Sequence, residues 1–149
     1  MKAKKILVSF MLSCISSLFI LSACSYQTIP TQTTFKEEDI RITDIKMATA
    51  VDENLMPVQA QESFPKSASK VYCWFKWHNA KVNTVVLAKW HYVSDDIPVL
   101  DNAVVIPRKE GMGSVSLAMP EGKTLPSGLY RITLMLGKVP LHSLSFKVE

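Results

Sequence analysis

After residue 39 the chain is patterned with a period of two. Over Lys70–Trp77, Val71, Cys73, Phe75 and Trp77 fall on one side. Tyr72, Trp74, Lys76 and then His78 fall on the other. Such alternation marks a strand with one buried face, because successive side chains of an extended backbone point to opposite sides. Thr84–Tyr92 repeats it: Val86, Ala88, Trp90 and Tyr92 oppose Val85, Leu87, Lys89 and His91. β-branched and aromatic residues dominate both runs and argue against a helix. Ile40, Ile42, Ile45 and Met47 mark an earlier extended element, which Asp52-Glu53-Asn54 closes as a turn. Pro57 and Pro65 bound a loop-like region with one short edge strand near Val58–Gln61.

The remaining pattern is similar. Ser94-Asp95-Asp96 reads as a turn, Pro98–Ile106 as an extended piece and Pro107–Gly113 as a polar loop. Val115, Leu117 and Met119 alternate in the next strand, and Tyr130, Ile132, Leu134 and Leu136 in the one after it. Gly137-Lys138 suits a hairpin turn, with Pro140 set against tight pairing. Leu144, Phe146 and Val148 form the inward side of the last strand. Seven or eight short strands with turn residues between them predict an all-β fold, an antiparallel β-sandwich in one domain over 39–149. A small barrel is the alternative.

The start of the chain is different. Lys2, Lys4 and Lys5 precede an apolar run from Ile6 to Leu21, and Leu21-Ser22-Ala23-Cys24 follows. The run is shorter than the ~20 apolar residues of a membrane span, so residues 1–23 read as a signal peptide. The Leu-Ser-Ala-Cys sequence resembles the lipobox of bacterial lipoproteins. That resemblance implies cleavage before Cys24, acylation of Cys24 and anchoring by two or three acyl chains, at roughly 0.8 kcal/mol per buried CH₂. Ser25 after the cysteine implies, by the same resemblance, the outer membrane, with the domain facing the periplasm. Residues 24–38 are polar, rich in Thr and Gln, and read as a lipidated tether.

Charge then changes the picture. The chain of 149 residues carries 17 Lys+Arg against 13 Asp+Glu. Three of the lysines lie in the signal, so the rest is nearly neutral and an extended nucleic-acid footprint loses its support. Of the three cysteines, Cys14 leaves with the signal and Cys24 is the lipidated one. Cys73 alone stays a thiol, which excludes an intramolecular disulfide, and it reads as a small buried apolar residue.

A resemblance extends over Tyr72–Val148. Tyr72-Cys73-Trp74, Lys89-Trp90-His91-Tyr92, Pro126-Ser127-Gly128-Leu129-Tyr130-Arg131 and the closing Phe146-Lys147-Val148 resemble small immunoglobulin-like domains of uncharacterised bacterial envelope proteins. It implies an immunoglobulin-like fold and carries over no catalytic residue. The Cys…Trp…Cys arrangement of antibody domains is absent for want of a second cysteine.

Chemistry-bearing motifs are scarce. There is no Gly-rich phosphate loop, paired-Cys motif or nucleophile elbow. His78, His91 and His142 have no metal-ligand spacing, and Asp95, Asp96 and Asp101 read as a solvated loop rather than a calcium site. No catalytic residue, metal or cofactor is assigned, and the chain is expected not to be an enzyme. The aromatic face of the first strong strand is the candidate binding surface: Tyr72 and Trp74, joined by His78 and His91 if the two strong strands pair. The competing expectation is that a neighbouring strand or the 54–69 segment covers this face. The expected function is binding or assembly with an envelope protein partner, the membrane being engaged through lipid at Cys24. The alternative is a glycan- or small-ligand-binding lipoprotein that uses the aromatic face.

Overall fold

A computed structural model describes residues 39–149. The signal, Cys24 and the tether lie outside the described residues. Among the described residues, nine strands form two sheets. They are β1 (Arg41–Val51), β2 (Pro57–Ala60), β3 (Ser63–Phe64), β4 (Lys70–His78), β5 (Thr84–Tyr92), β6 (Ile97–Ile106), β7 (Gly111–Ala118), β8 (Gly128–Leu136) and β9 (Val139–Val148). One sheet has the order β2-β1-β4-β7 and the other β3-β9-β8-β5-β6. All pairings are antiparallel except that of β3 with β9.

This is the immunoglobulin-like arrangement expected from the sequence. In the letters used for that fold, β1, β4 and β7 are strands A, B and E, and β9, β8 and β5 are G, F and C, with β6 as C′. The two inner faces supply one core. Val71, Cys73, Phe75 and Trp77 of β4 meet Val86, Ala88 and Trp90 of β5 and Tyr130, Ile132 and Leu134 of β8, all at most 3% exposed. Phe146 of β9 sits among three rings. It stacks on Tyr130 at 5.1 Å between centroids and meets Phe64 and Trp90 edge-on at 5.7 and 6.2 Å. Burying several large aromatics at ~25 cal/mol per Å² supplies most of the drive for closing the sandwich.

The loop between β7 and β8 is fixed by tyrosines. The hydroxyl of Tyr130, two residues into β8, donates to the carbonyl of Pro126 at 2.8 Å, and that of Tyr92 donates to Ser127 at 2.6 Å. The first contact is the tyrosine corner of immunoglobulin domains, in the loop between strands E and F where that motif occurs. Two residues beyond the tyrosine, antibody domains place the second cysteine of the inter-sheet disulfide. Here that position is Ile132, opposite the free and buried Cys73 of strand B.

Three sequence expectations are corrected. β4 and β5 do not pair: the chain crosses from one sheet to the other between them. The loop expected through Gly113 ends earlier, because Gly111-Met112-Gly113 already pairs with β4. These glycines belong to the strand because the Trp77 ring lies over them, and a Cβ on Gly111 would come within 2.7 Å of it. The two-residue strand β3 brings the count to nine. Pro140 is accommodated by a bulge, with Leu134 opposite His142 and Met135 opposite Pro140.

Candidate functional site

Alternation places Tyr72, Trp74 and His78 on the outer side of the four-stranded sheet. Trp74 is nonetheless only 1% exposed. The β1–β2 turn reaches over it: the Asp52 carboxylate accepts the amides of Asn54 and Met56, and the Leu55 carbonyl so presented accepts the indole N–H. Lys46 and Lys76 cover the ring, with ammonium groups 5.6 and 5.3 Å from the centroid. Tyr72 is half-buried under Lys70, whose ammonium lies 4.7 Å from its ring. The expected open aromatic face is therefore a covered one, and the 54–69 segment contributes the cover through Leu55.

The two histidines are separated. His78 ends β4, 3.5 Å from Glu110. His91 lies on the other sheet, with Nε2 3.0 Å from Asp96 Oδ1 but not aligned for a hydrogen bond. Tyr72, Trp74, His78 and His91 do not form one surface. His142 lies on β9, its Nδ1 3.2 Å from the Ser143 carbonyl. Asp101 lies on β6 and pairs with Lys89 at 3.4 Å, whereas Asp96 lies beside His91. Among the described residues no group of three His, Cys, Asp or Glu could hold a metal ion. Cys73 is fully buried, and burial pushes its thiol up to about 12, away from the thiolate a nucleophile requires. A cleft of about 360 Å³ is lined by Asp39, Ile40, Arg41, Ile42 and Leu141, so it holds none of the expected site residues.

The conspicuous surface lies elsewhere. Six of the nine large apolar residues exposed among the described residues cluster on β6 and beside it: Val82, Val85, Ile97, Val99, Leu100 and Val105. β6 is the terminal strand of its sheet. Its first half is protected by Pro98 and by a bulge where Trp90 faces Leu100 and His91 faces Pro98. Its second half, from Asp101 to Ile106, is in regular register, and Val105 there is 57% exposed beside Val85 at 50%. Its one charge, Asp101, is paired with Lys89. The sequence showed the apolar residues of β6, but not that the strand is terminal, since alternation does not reveal sheet order.

Of the comparisons with known proteins, one solved structure speaks for the fold. An immunoglobulin-like protein from Pseudomonas aeruginosa superposes with a TM-score of 0.53 at 16% identity, over 74% of this chain and 97% of that one. A Niemann-Pick type C2 protein from Japanese carpenter ant gives a TM-score of 0.42 at 14% identity, over 74% and 93%. No family model matches the chain, and no curated protein matches it. The immunoglobulin-like sandwich hosts many unrelated functions, so its presence leaves the role to the surfaces just described.

Proposed function

We propose that this chain is a lipid-anchored, non-enzymatic envelope protein on the periplasmic side of the outer membrane. It binds a protein partner by adding an extended strand to the edge of β6. The anchor reading is supported by the order of Lys2, Lys4 and Lys5, the apolar run, and Leu21-Ser22-Ala23-Cys24. The observation that carries the binding reading is the regular, weakly charged second half of β6 beside the apolar pair Val85 and Val105. A terminal strand offers a row of backbone donors and acceptors, and apolar side chains flanking it give an added strand something to bury.

Photocrosslinking tests this reading in native envelopes, with the probe placed at Val105 and Val99 and, as a control on the opposite face, at Ser116. One dominant protein adduct from the β6 probes, lost in the mislocalised Cys24→Ala form, is expected. Equal labelling from Ser116, or no protein adduct from either β6 position, refutes the assignment of β6.

A further inference from the structure

The outer face of the four-stranded sheet is unlike the β6 side. Along β4 its outward positions are Lys70, Tyr72, Trp74 and Lys76. Register places Lys46 opposite Trp74 and Asp44 opposite Lys76. On the other flank β7 offers Ala118, Ser116, Ser114 and Met112 opposite the same four residues. Three ammonium groups thus lie over two aromatic rings, with the β1–β2 turn beside them and short side chains on the β7 flank. Asp44, 3.2 Å from Lys46, is the carboxylate that the strand registers put on this face. No carboxylate of the described residues lies within ion-pair distance of Lys70 or Lys76.

From this geometry we infer that the outer face of the β1–β4–β7 sheet lies against an anionic lipid surface, through Lys46, Lys70 and Lys76. The inference rests on the lipid-anchor reading above. A ring beneath an ammonium attracts its charge from one side and leaves the other N–H groups free for phosphate oxygens. It also restricts the lysine stem, so less freedom is lost on contact. Lysines are point charges without the fork geometry that selects one bound group, which suits a field of headgroups better than a single ligand. Contact on this side turns the apolar β5–β6 side, which belongs to the other sheet, away from the membrane.

The test uses residues 39–149, which contain the whole described core, in cosedimentation with vesicles. One set contains phosphatidylcholine alone and the other phosphatidylglycerol mixed with it, each at low and at physiological salt. Binding only to the anionic vesicles, weakened by salt, is expected. Each lysine near such a surface contributes about fivefold in affinity, so K46Q/K70Q/K76Q should lose on the order of a hundredfold. Lys89→Gln, on the far face, should change nothing. Circular dichroism of the triple variant guards against misfolding. Three results each overturn the inference: equal binding to both vesicles, no binding to the anionic ones, or full competition by a soluble anionic polysaccharide that binds the domain more tightly than lipid. The intact mass of the N-terminal peptide from native envelopes tests the anchor separately. Unmodified Cys24 overturns the anchor reading while the vesicle result stands. Acylated Cys24 with no vesicle binding overturns the surface assignment alone.

Discussion

Replacing Tyr130 with Phe isolates one interaction, because only the hydroxyl is removed. The ring keeps its stack on Phe146 and its contact with Tyr92 at 4.8 Å. What disappears is the 2.8 Å bond to the Pro126 carbonyl, made by a residue 2% exposed. A neutral hydrogen bond contributes about 1 kcal/mol net, and Pro126 is exposed so that water can reach its carbonyl, so about 1–1.5 kcal/mol is expected. For a domain of this size that lowers Tm by roughly 4–12 °C. Urea unfolding followed by tryptophan fluorescence measures the difference directly. The companion change Tyr92→Phe removes an exposed bond to the next carbonyl and should cost less, about 0.5 kcal/mol. Because the two rings touch and the two carbonyls are consecutive, the double variant should depart from additivity by about 0.5 kcal/mol or more. A loss below 0.5 kcal/mol for Tyr130→Phe would refute the claim that this hydroxyl holds the β7–β8 loop. The alkaline limb gives a second readout. Burial, and next the neighbouring Tyr92, push the Tyr130 phenol from 10.0 up to about 12. The folded state therefore holds this proton more tightly than the unfolded chain does. Stability is unaffected below pH 10 and falls between pH 10 and 12, a decline that Tyr130→Phe should lessen.

Further changes probe other parts of the argument. Gly128 has φ +149, and a Cβ there would lie 2.6 Å from the Tyr92 hydroxyl and 2.7 Å from Ser94 Oγ, so Gly128→Ala should cost about 2–3 kcal/mol in urea unfolding. Gly122→Ala, with open space around it, should cost only about 1 kcal/mol, from its φ of +75. Cys73 adds its own alkaline decline. With burial holding its thiol at about 12 when folded, against an ordinary 9.0, stability should fall between pH 9 and 12 by an amount on the order of 4 kcal/mol, and Cys73→Ala should abolish that part of the slope. Asn102→Leu removes the acceptor 2.9 Å from the buried Trp90 indole N–H and should lower stability by about 1–3 kcal/mol, seen as a drop in the thermal midpoint.

The elements were legible wherever one face is buried and the other wet. β4, β5 and β8 announce themselves through Val71–Trp77, Val86–Tyr92 and Tyr130–Leu136. The start of β7 was not legible, because Gly111 and Gly113 read as turn residues until the Trp77 ring lying on them is known. β3 is too short to carry a period. The candidate surface failed in part for a geometric reason. Alternation correctly turned Tyr72 and Trp74 outward, but outward is not exposed when Leu55 and two lysines close over the indole. Pairing of β4 with β5 was a matter of topology, which local pattern does not encode. The lysines of that face were visible in the sequence; their gathering over two rings needed the register of β1 on β4.

The position of β9 bears on when the fold can form. It lies between β8 and β3, and the parallel pair ties Ser63 and Phe64 to Lys147 and Val148. The Glu62 and Phe64 carbonyls accept amides of Lys147 and Glu149 at 2.8 and 2.9 Å. Phe146 on this strand is the ring that Phe64, Trp90 and Tyr130 share. A chain that emerges N-terminus first must therefore present β4 through β8 before the residue that joins their aromatics arrives. During that interval Trp90 and Tyr130 lack their common neighbour and β8 has an open edge, a state that invites wrong pairing. The ten residues of β9 are thus the latch that closes the sandwich.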